Sequence, residues 1–288
     1  MDYVIASIIA TDEILFHDAQ ETIKAIGGAG IYALTGIKCW TDQVLAVTGV
    51  GADFDERNGD WFRQNHLSME GLIVKGEKTP HTLIHYFEDG ERKEKSMYGS
   101  EHFRNMEVTA QELAPYFQTA KGIYIFKNSS ADFWEEILRN KANSRTKVLW
   151  EIANDATQLD NLEFVKRIAE QMEVFSINLS ESKKLLGTED LSEIIEAYQS
   201  WKTKMVFLRR GSKGAIMIGS GQAVEVPAAP MGEVIDPTGG GNSSSGAVLY
   251  GFCEDYSLED CGRMGSLASA VCLSQYGVPD RVPRLSLI

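Results

Sequence analysis

The sequence predicts a single α/β domain in which helices cover both faces of a mostly parallel sheet. Short apolar runs typical of strands alternate with segments of helical periodicity along the 288 residues. These runs lack the strict alternation of a half-exposed sheet, which indicates strands that are buried on both faces. No Pro-, Gly- or Ser-rich linker and no internal repeat interrupts the chain, and its length is ample for one large core.

Six apolar runs are predicted to be strands, and the segments between them carry apolar residues on one helical face. The predicted strands are Tyr3–Ile9, Val44–Val50, Gly122–Phe126, Lys147–Trp150, Val174–Ile177 and Met205–Leu208. The helical faces comprise Phe133, Ile137 and Leu138, then Leu162, Val165, Ile168 and Ala169, then Leu191, Ile194, Ile195 and Tyr198. Strands that alternate with such helices pair in parallel through βαβ crossovers.

A further helix is predicted near the C-terminus. Ser257 is a suitable N-cap, and Glu259 and Asp260 place negative charge in the first turn. Apolar residues then recur on one helical face as far as Cys272, and Gly277 is a suitable C-terminal stop.

One segment breaks the alternation of strands and helices. Thr82–Phe87 and Arg92–Tyr98 flank a Gly-containing turn at Glu88–Glu91, which is the pattern of a β-hairpin. A hairpin at this point indicates a small appended sheet. His81 and His85 lie in this strand-like sequence, where a spacing of four does not reproduce a helical pair of metal ligands, so no metal site is expected there.

The amino-acid composition limits which binding partners and which cellular compartment are expected. The net charge of −13 argues against nucleic acid or an anionic membrane as a partner, although an anionic small molecule needs only a local positive potential. The four cysteines form no Cys-x-x-Cys pair and are expected in the core. The N-terminus lacks a basic leader region, and no apolar run reaches the roughly 18 residues of a membrane helix. We therefore expect a reduced, cytoplasmic protein.

The most informative stretch is Asp236–Gly246, in which three consecutive glycines precede small polar residues and then an apolar run. This pattern predicts a tight loop that opens into a helix. Glycine leaves no side chain between the backbone and a ligand, and the free N–H groups of a helix start suit phosphate or developing negative charge. The alternative is a Gly-rich turn before a Ser-rich helix start.

The same stretch resembles the C-terminal signature of the PfkB family, the ribokinase-like carbohydrate and nucleoside kinases. That signature runs Asp-Thr-Thr-Gly-Ala-Gly-Asp, and its final aspartate is the usual catalytic base. Asp236, Thr238, Gly239 and Gly241 match the signature, whereas the final aspartate falls on Asn242. The resemblance implies a ribokinase-like three-layer α/β/α domain over residues 1–288. It also implies a β-sheet lid inserted around residues 78–100, with residues near 12–18, that often contributes to a homodimer.

The resemblance also implies ATP and Mg²⁺ as cofactors and a sugar, sugar derivative or nucleoside as acceptor, and it assigns site residues. Catalytic roles fall on Gly239, Gly240, Gly241 and Asn242; nucleotide contacts on Asn178, Glu181, Arg209, Gly211, Gly214, Asp236 and Thr238; substrate contacts on Asp12, Gly27, Gly28 and Tyr32. The Asn-x-x-Glu motif of the family organises Mg²⁺, water and phosphate, which makes Glu181 the expected metal residue. Tyr32 stands where the family often has asparagine.

Several of these assignments have plainer alternatives. Asn178 and Glu181 are also the residues of an ordinary helix cap. Arg209 could belong to a basic turn at a strand end instead of facing phosphates, and Asp12 could be a solvated turn residue. Gly27–Gly30 could open a dinucleotide site, but the turn lacks Gly-x-Gly-x-x-Gly. No P-loop and no Gly-x-Ser-x-Gly elbow occurs in the chain.

Asn242 leaves two function classes open. An amide can accept a hydrogen bond from the acceptor hydroxyl but cannot take its proton near neutral pH. Loss of a general base typically costs ~10²–10⁴ in rate, yet phosphoryl transfer depends mostly on positioning and charge stabilisation. The chain is thus either a slow kinase or a catalytically silent protein that binds nucleotide or sugar as a sensor or partner. If the site is otherwise intact, Asn242→Asp is expected to restore a base.

Overall fold

The computed structural model describes residues 1–16, 22–87, 92–230 and 232–287 of the chain. The strands are β1 (Tyr3–Ala6), β2 (Ala10–Phe16), β3 (Ile23–Gly27), β4 (Val44–Gly51), β5 (Leu72–Gly76), β6 (His81–Tyr86), β7 (Arg92–Ser96), β8 (Gly122–Lys127), β9 (Lys147–Ile152), β10 (Val174–Asn178), β11 (Met205–Arg209), β12 (Ala215–Gly219) and β13 (Gln222–Val226). The helices are α1 (Ala29–Lys38), α2 (Phe54–Gln64), α3 (Gly99–Met106), α4 (Ala110–Leu113), α5 (Ala131–Lys141), α6 (Leu162–Ala169), α7 (Leu179–Leu186), α8 (Leu191–Ser200), α9 (Gly240–Cys253) and α10 (Leu258–Leu273).

Within the described residues, nine strands form a central sheet in the order β13-β12-β11-β10-β9-β8-β1-β4-β5. The pairs from β11 to β5 are parallel, and β12 and β13 continue the sheet as an antiparallel edge. The prediction of a mostly parallel sheet is confirmed. Parallel strands end at the same edge of a sheet, so the residues that close β8, β9, β10 and β11 lie side by side.

Helices cover both faces of this sheet, and alternate strand residues point into two separate cores. In β1, Val4 packs in the core beneath α5, α6 and α8, whereas Ile5 packs in the core beneath α1, α2 and α9. Helices α1 and α9 approach closely, since a Cβ on Gly36 would come within 1.9 Å of the Ser243 carbonyl oxygen. This packing fixes the start of α9 above the sheet edge.

Four other strands form a separate small sheet in the order β3-β2-β6-β7. The predicted hairpin is confirmed, because β6 and β7 pair antiparallel with Thr82 opposite Ser96. Its turn at Glu88–Glu91 lies outside the described residues, as do residues 17–21 between β2 and β3. Exposed apolar side chains lie on or beside this sheet, at Ile23, Phe87, Met97 and Tyr98. A dimer through this sheet stays a prediction.

Some predicted boundaries were wrong. The run Tyr3–Ile9 is not one strand: β1 ends at Ala6, and the chain then crosses to the small sheet as β2. Helix α10 begins after Ser257 as predicted, with the Ser257 hydroxyl accepting from Asp260 N at 3.1 Å, but ends at Leu273 instead of near Gly277. None of the helices in the described ranges is long and apolar enough to cross a membrane.

Candidate active site

The loop before α9 presents free backbone N–H groups. Gly239 is the N-cap of α9 with φ +76°. Among the described residues, no side chain caps the helix, and its first turn carries no carboxylate. A Cβ on Gly239 would lie 2.0 Å from the ring of Tyr32, so both the backbone angle and the space require glycine. A Cβ on Gly241 would lie 2.0 Å from Nη1 of Arg209. This helix start is therefore suited to bind an anion.

Asp236 holds the loop before α9 in place through hydrogen bonds. It is 2% exposed, and its Oδ1 accepts from the Thr238 backbone N–H at 2.8 Å and from the Tyr86 hydroxyl at 2.7 Å. The Tyr86 hydroxyl also lies 3.3 Å from Oγ1 of Thr238. Since Tyr86 is the last residue of β6, the small sheet is bonded directly to the loop.

Asp12 and the glycines at the end of β3 lie opposite the start of α9. Asp12 lies within β2 and is 6% exposed, so the alternative of a solvated turn residue is wrong. Gly27 must be glycine because a Cβ there would come within 1.7 Å of Oδ2 of Asp12. Gly28 is the N-cap of α1 with φ +85°, so these glycines form the turn between β3 and α1. Tyr32 follows on α1, where burial and then the charges of Asp12 and Asp236 raise the pKa of its hydroxyl.

A cavity of about 680 Å³ lies between the two sheets. Six predicted residues line it: Asp12, Gly28, Tyr32, Thr238, Gly239 and Asn242. Phe103, Phe126 and Phe133 add aromatic surface, and Thr82 and Ile84 of β6 contribute from the small sheet. The start of α9 and Asp12 therefore line the same cavity.

A second group of predicted residues lies outside this cavity, at the ends of β10 and β11. Asn178 and Glu181 form a reciprocal cap on α7: Asn178 Oδ1 accepts from Glu181 N, and Glu181 Oε2 accepts from Asn178 N, each at 2.9 Å. Burial, offset in part by Arg209, raises the pKa of Glu181. Gly211 and Gly214 bound the turn after β11 with φ +60° and +77°.

Arg209 connects this group to the start of α9. Its Nη1 lies 3.0 Å from Oε1 of Glu151, and its Nη2 lies 3.8 Å from Oε2 of Glu181. The Nε of Arg209 is buried and has no hydrogen-bond partner among the described residues. The arginine is thus held by two carboxylates beside Gly241, and its Nε–H has no partner among the described residues.

Asn242 reaches the same carboxylate from the other side. Its Nδ2 lies 3.2 Å from Oε1 of Glu151 and 3.2 Å from the hydroxyl of Tyr124. Tyr124 in turn donates to Oε2 of Glu151 at 2.8 Å. Burial, and then the charge of Glu151, raise the pKa of the Tyr124 hydroxyl well above its usual value, so it remains a donor.

The comparison with known proteins assigns the family. A family model described as pfkB family carbohydrate kinase matches residues 2–284. The chain belongs to the pfkB family of carbohydrate kinases. The cytidine kinase of Thermococcus kodakarensis is 25% identical to it over 285 residues, which cover 96% of this chain and 98% of that kinase.

Solved structures of a nucleoside kinase and a ribokinase share the fold. The nucleoside kinase of Burkholderia thailandensis in complex with inosine matches with a TM-score of 0.76 at 17% identity, over 96% of this chain and 90% of that one. The ribokinase of Arabidopsis thaliana complexed with ribose and ATP also matches with a TM-score of 0.76, at 16% identity over 98% and 95%. The predicted ribokinase-like fold is confirmed, and the relatives support kinase function and use of ATP in general.

Sequence reasoning missed two residues that contact Asn242, Tyr124 and Glu151. The predicted strand ended at Trp150, whereas β9 continues to Ile152 and buries Glu151 to 2% exposure. The available signal was a charged residue that continues an apolar strand, since a buried carboxylate requires partners. His81 and His85 both lie in strand β6, as predicted. No cluster of potential metal ligands occurs among the residues described, and the absence of a histidine metal site stays a prediction.

Proposed function

We propose that this chain is an ATP-dependent kinase that phosphorylates a hydroxyl group of a nucleoside. The single observation that carries the proposal is that the glycine-rich start of α9 opens into the cavity that Asp12 lines. An anion site and a hydrogen-bonding wall for hydroxyl groups thus face one another in a space large enough for a small molecule.

The shape and lining of the cavity favour a nucleoside over a simple sugar. About 680 Å³ exceeds what a pentose needs, and Phe103, Phe126 and Phe133 offer aromatic faces on which a nucleobase can stack. Lys127, Asn154 and Glu107 add polar groups to the same lining. The cytidine kinase and the inosine-bound nucleoside kinase among the relatives support this choice.

The residues present fit a nucleotide with Mg²⁺. The uncapped N-terminus of α9 and the unpartnered Nε of Arg209 supply donors for phosphate oxygens. Glu181 supplies one carboxylate, which suits a cation that binds mainly through water and substrate phosphates. Asn178, Gly211, Gly214 and Thr238 would complete the nucleotide side. When bound, Mg²⁺ would neutralise negative charge on the phosphates of the donor.

The chemistry of the chain's own groups follows from this arrangement. Asp12 binds and orients hydroxyl groups of the acceptor, and the amides at Gly239–Gly241 stabilise charge on the transferring phosphoryl group. Asn242 accepts a hydrogen bond from the attacking hydroxyl but takes no proton from it, so the proton passes to an oxygen of the transferred phosphoryl group. Without a general base we expect a rate ~10²–10⁴ below that of a kinase with an aspartate there. The small sheet acts as the lid that excludes water.

The proposal is tested by ATP consumption in the presence of nucleosides, sugars and sugar phosphates. We expect ADP formation that depends on a nucleoside, together with a rise in Tm on addition of Mg²⁺ and ATP. ADP formation with a simple sugar but with no nucleoside would contradict the choice of acceptor. The absence of any thermal shift at millimolar nucleotide would contradict the nucleotide site.

Asn242 itself favours a second candidate function, a protein that binds nucleotide and nucleoside without turnover. The amide lies where the family carries its base, while Asp12 and the α9 start remain in place. Binding of both ligands with no phosphate transfer to any acceptor would establish this second function.

A further inference from the structure

Glu151 is a buried carboxylate with partners from three different elements. Tyr124 of β8 and Asn242 of α9 donate to it, and Arg209 of β11 forms an ion pair with it at 3.0 Å. It is 2% exposed and does not line the cavity, so it cannot touch the acceptor. Its contacts act through Asn242, which does line the cavity.

These contacts determine which way the amide of Asn242 faces. An ionised carboxylate only accepts hydrogen bonds, so the amide nitrogen must face Glu151. Tyr124 uses its proton toward Glu151, so its oxygen also accepts from Nδ2 of Asn242. The remaining polar atom of the side chain, Oδ1, is then directed away from Glu151, and Asn242 borders the cavity. An acceptor hydroxyl meets an oxygen, which can only receive its proton in a hydrogen bond.

We propose that Asn242 and Glu151 form an amide–carboxylate pair in which the amide lies at the edge of the cavity and the carboxylate lies behind it. Glu151 is the positioning residue that turns the oxygen of Asn242 toward the acceptor. This inference rests on the proposed function for its catalytic meaning, but the pair itself is a property of the folded chain. It follows that an aspartate at position 242 works as a base only when residue 151 no longer carries a charge.

The charged and titratable groups around the pair explain this dependence. Tyr124 faces Glu151 from β8, Arg209 faces it from β11, and Glu181 faces Arg209 from α7. The single substitution Asn242→Asp would therefore place two carboxylates about as close as the present 3.2 Å contact, with one arginine already shared between Glu151 and Glu181. Such a pair retains a proton near neutral pH. Since Arg209 forms its ion pair with Glu151, the introduced aspartate is the carboxyl that keeps the proton and it then cannot act as a base.

Exchanging both residues removes the conflict. In Glu151→Gln/Asn242→Asp the site again holds one amide and one carboxylate, and the charge lies at the edge of the cavity. The hydroxyl of Tyr124 serves either arrangement, because it can donate to the introduced aspartate while accepting from the introduced glutamine. Arg209 keeps an acceptor at position 151 and gains a carboxylate nearby.

The first test uses stability and requires no turnover. Unfolding of the wild type, Asn242→Asp, Glu151→Gln and the double variant is followed from about pH 5 to about pH 8. A carboxyl that binds its proton more tightly in the folded state stabilises at low pH and loses that contribution as pH rises. We therefore expect Asn242→Asp to approach the wild type at low pH and to fall roughly 5 °C or more below it in Tm at high pH. The double variant recovers most of that loss.

The second test uses the pH profile of kcat at saturating Mg²⁺–ATP and nucleoside. We expect no gain above about 10-fold for Asn242→Asp at neutral pH, and a gain that approaches ~10²–10⁴ for the double variant. In the double variant, kcat also falls as the pH is lowered through the pKa range of an ordinary carboxyl group. In Asn242→Asp the corresponding fall in kcat occurs at higher pH. A purely structural role of Glu151 would move Tm but not this profile.

Glu173→Gln is the matched control. Glu173 is also a mostly buried carboxylate, and it forms an ion pair with Lys141 at 2.9 Å. It precedes β10 and therefore lies at the opposite edge of the sheet from the site. Its replacement is expected to change Tm while leaving the pH profile of kcat as in the wild type.

The outcomes separate this inference from the proposed function. A stability loss in Asn242→Asp that is independent of pH, or that the double variant does not recover, overturns the pair. A full gain of rate in Asn242→Asp alone also overturns it, while supporting a kinase. If the stability cycle behaves as expected and no protein transfers phosphate, the pair stands and the proposed function fails.

Discussion

Tyr86 at the end of the small sheet donates a hydrogen bond to Asp236 at the start of the signature loop, with 2.7 Å between the two oxygens. The partners are 150 residues apart in the chain. The contact joins β6, which lines the cavity, to the loop before α9, where we propose that the anion binds. We therefore expect β6 and this loop to move together when the cavity closes.

Tyr86→Phe removes this bond while keeping the ring. We expect kcat/KM for the nucleoside to fall about 5- to 15-fold, since a hydrogen bond to a charged group contributes about 1–1.5 kcal/mol when its loss is partly compensated. Amide hydrogen exchange in β6 should also become faster. Tyr98→Phe is the control, because Tyr98 is 39% exposed and follows β7. Equal kinetics for both variants would contradict a coupling of the small sheet to the loop.

Gly239→Ala is expected to abolish Mg²⁺–ATP binding. Alanine at φ +76° costs about 1–2 kcal/mol, and its methyl group would also displace the ring of Tyr32. Gly221→Ala separates the two effects, because Gly221 has φ +75° with no atom within 4 Å of the added carbon. Titration calorimetry should show normal nucleotide affinity for the Gly221 variant. Retained affinity in Gly239→Ala would show that the α9 start does not bind phosphate.

The affinity for Mg²⁺–nucleotide should depend on the protonation of Glu181. Its pKa is raised above 4.5 mainly by burial. When the solution is acidified, Glu181 therefore becomes protonated at a higher pH than an ordinary glutamate does. We expect the dissociation constant to rise as pH falls from about 8 to about 5, and Glu181→Gln to bind weakly with little pH dependence. Glu189→Gln, at a side chain that is 84% exposed, is the control. Wild-type affinity in Glu181→Gln would exclude the metal role.

Asp12→Asn should weaken acceptor binding without affecting the nucleotide. Asp12 lines the cavity and packs against Gly27, and we expect its carboxylate to accept hydrogen bonds from hydroxyl groups of the acceptor. Loss of a charged hydrogen bond corresponds to about 1.5–3 kcal/mol, or an increase in KM for the nucleoside of roughly 10- to 150-fold. Its neighbour Glu13 pairs instead with His81 and Lys24, which makes Glu13→Gln a suitable control. An unchanged KM in Asp12→Asn would remove Asp12 from the acceptor site.

Local patterns predicted the central sheet, the hairpin and the loop before α9, because apolar runs, a Gly-containing turn and consecutive glycines each act over a few residues. The position of Asp12 was harder, since its strand belongs to a different sheet from β1 and only the tertiary fold shows that crossing. Glu151 could not be found from local pattern, because its partners lie between 27 and 91 residues away in the chain. Tertiary contacts of this range decide which carboxylate faces Asn242.

The most direct test of a kinase without an aspartate base is a single-turnover transfer of labelled phosphate. The protein is held in excess over γ-labelled ATP with Mg²⁺ and a nucleoside, so that even a slow reaction is completed and trace contaminants are outnumbered. Gly239→Ala, purified in parallel, reports contaminating kinases. We expect labelled nucleoside monophosphate with the wild type and none with Gly239→Ala. Binding of both ligands with no labelled product, or equal product from the two proteins, would contradict the account.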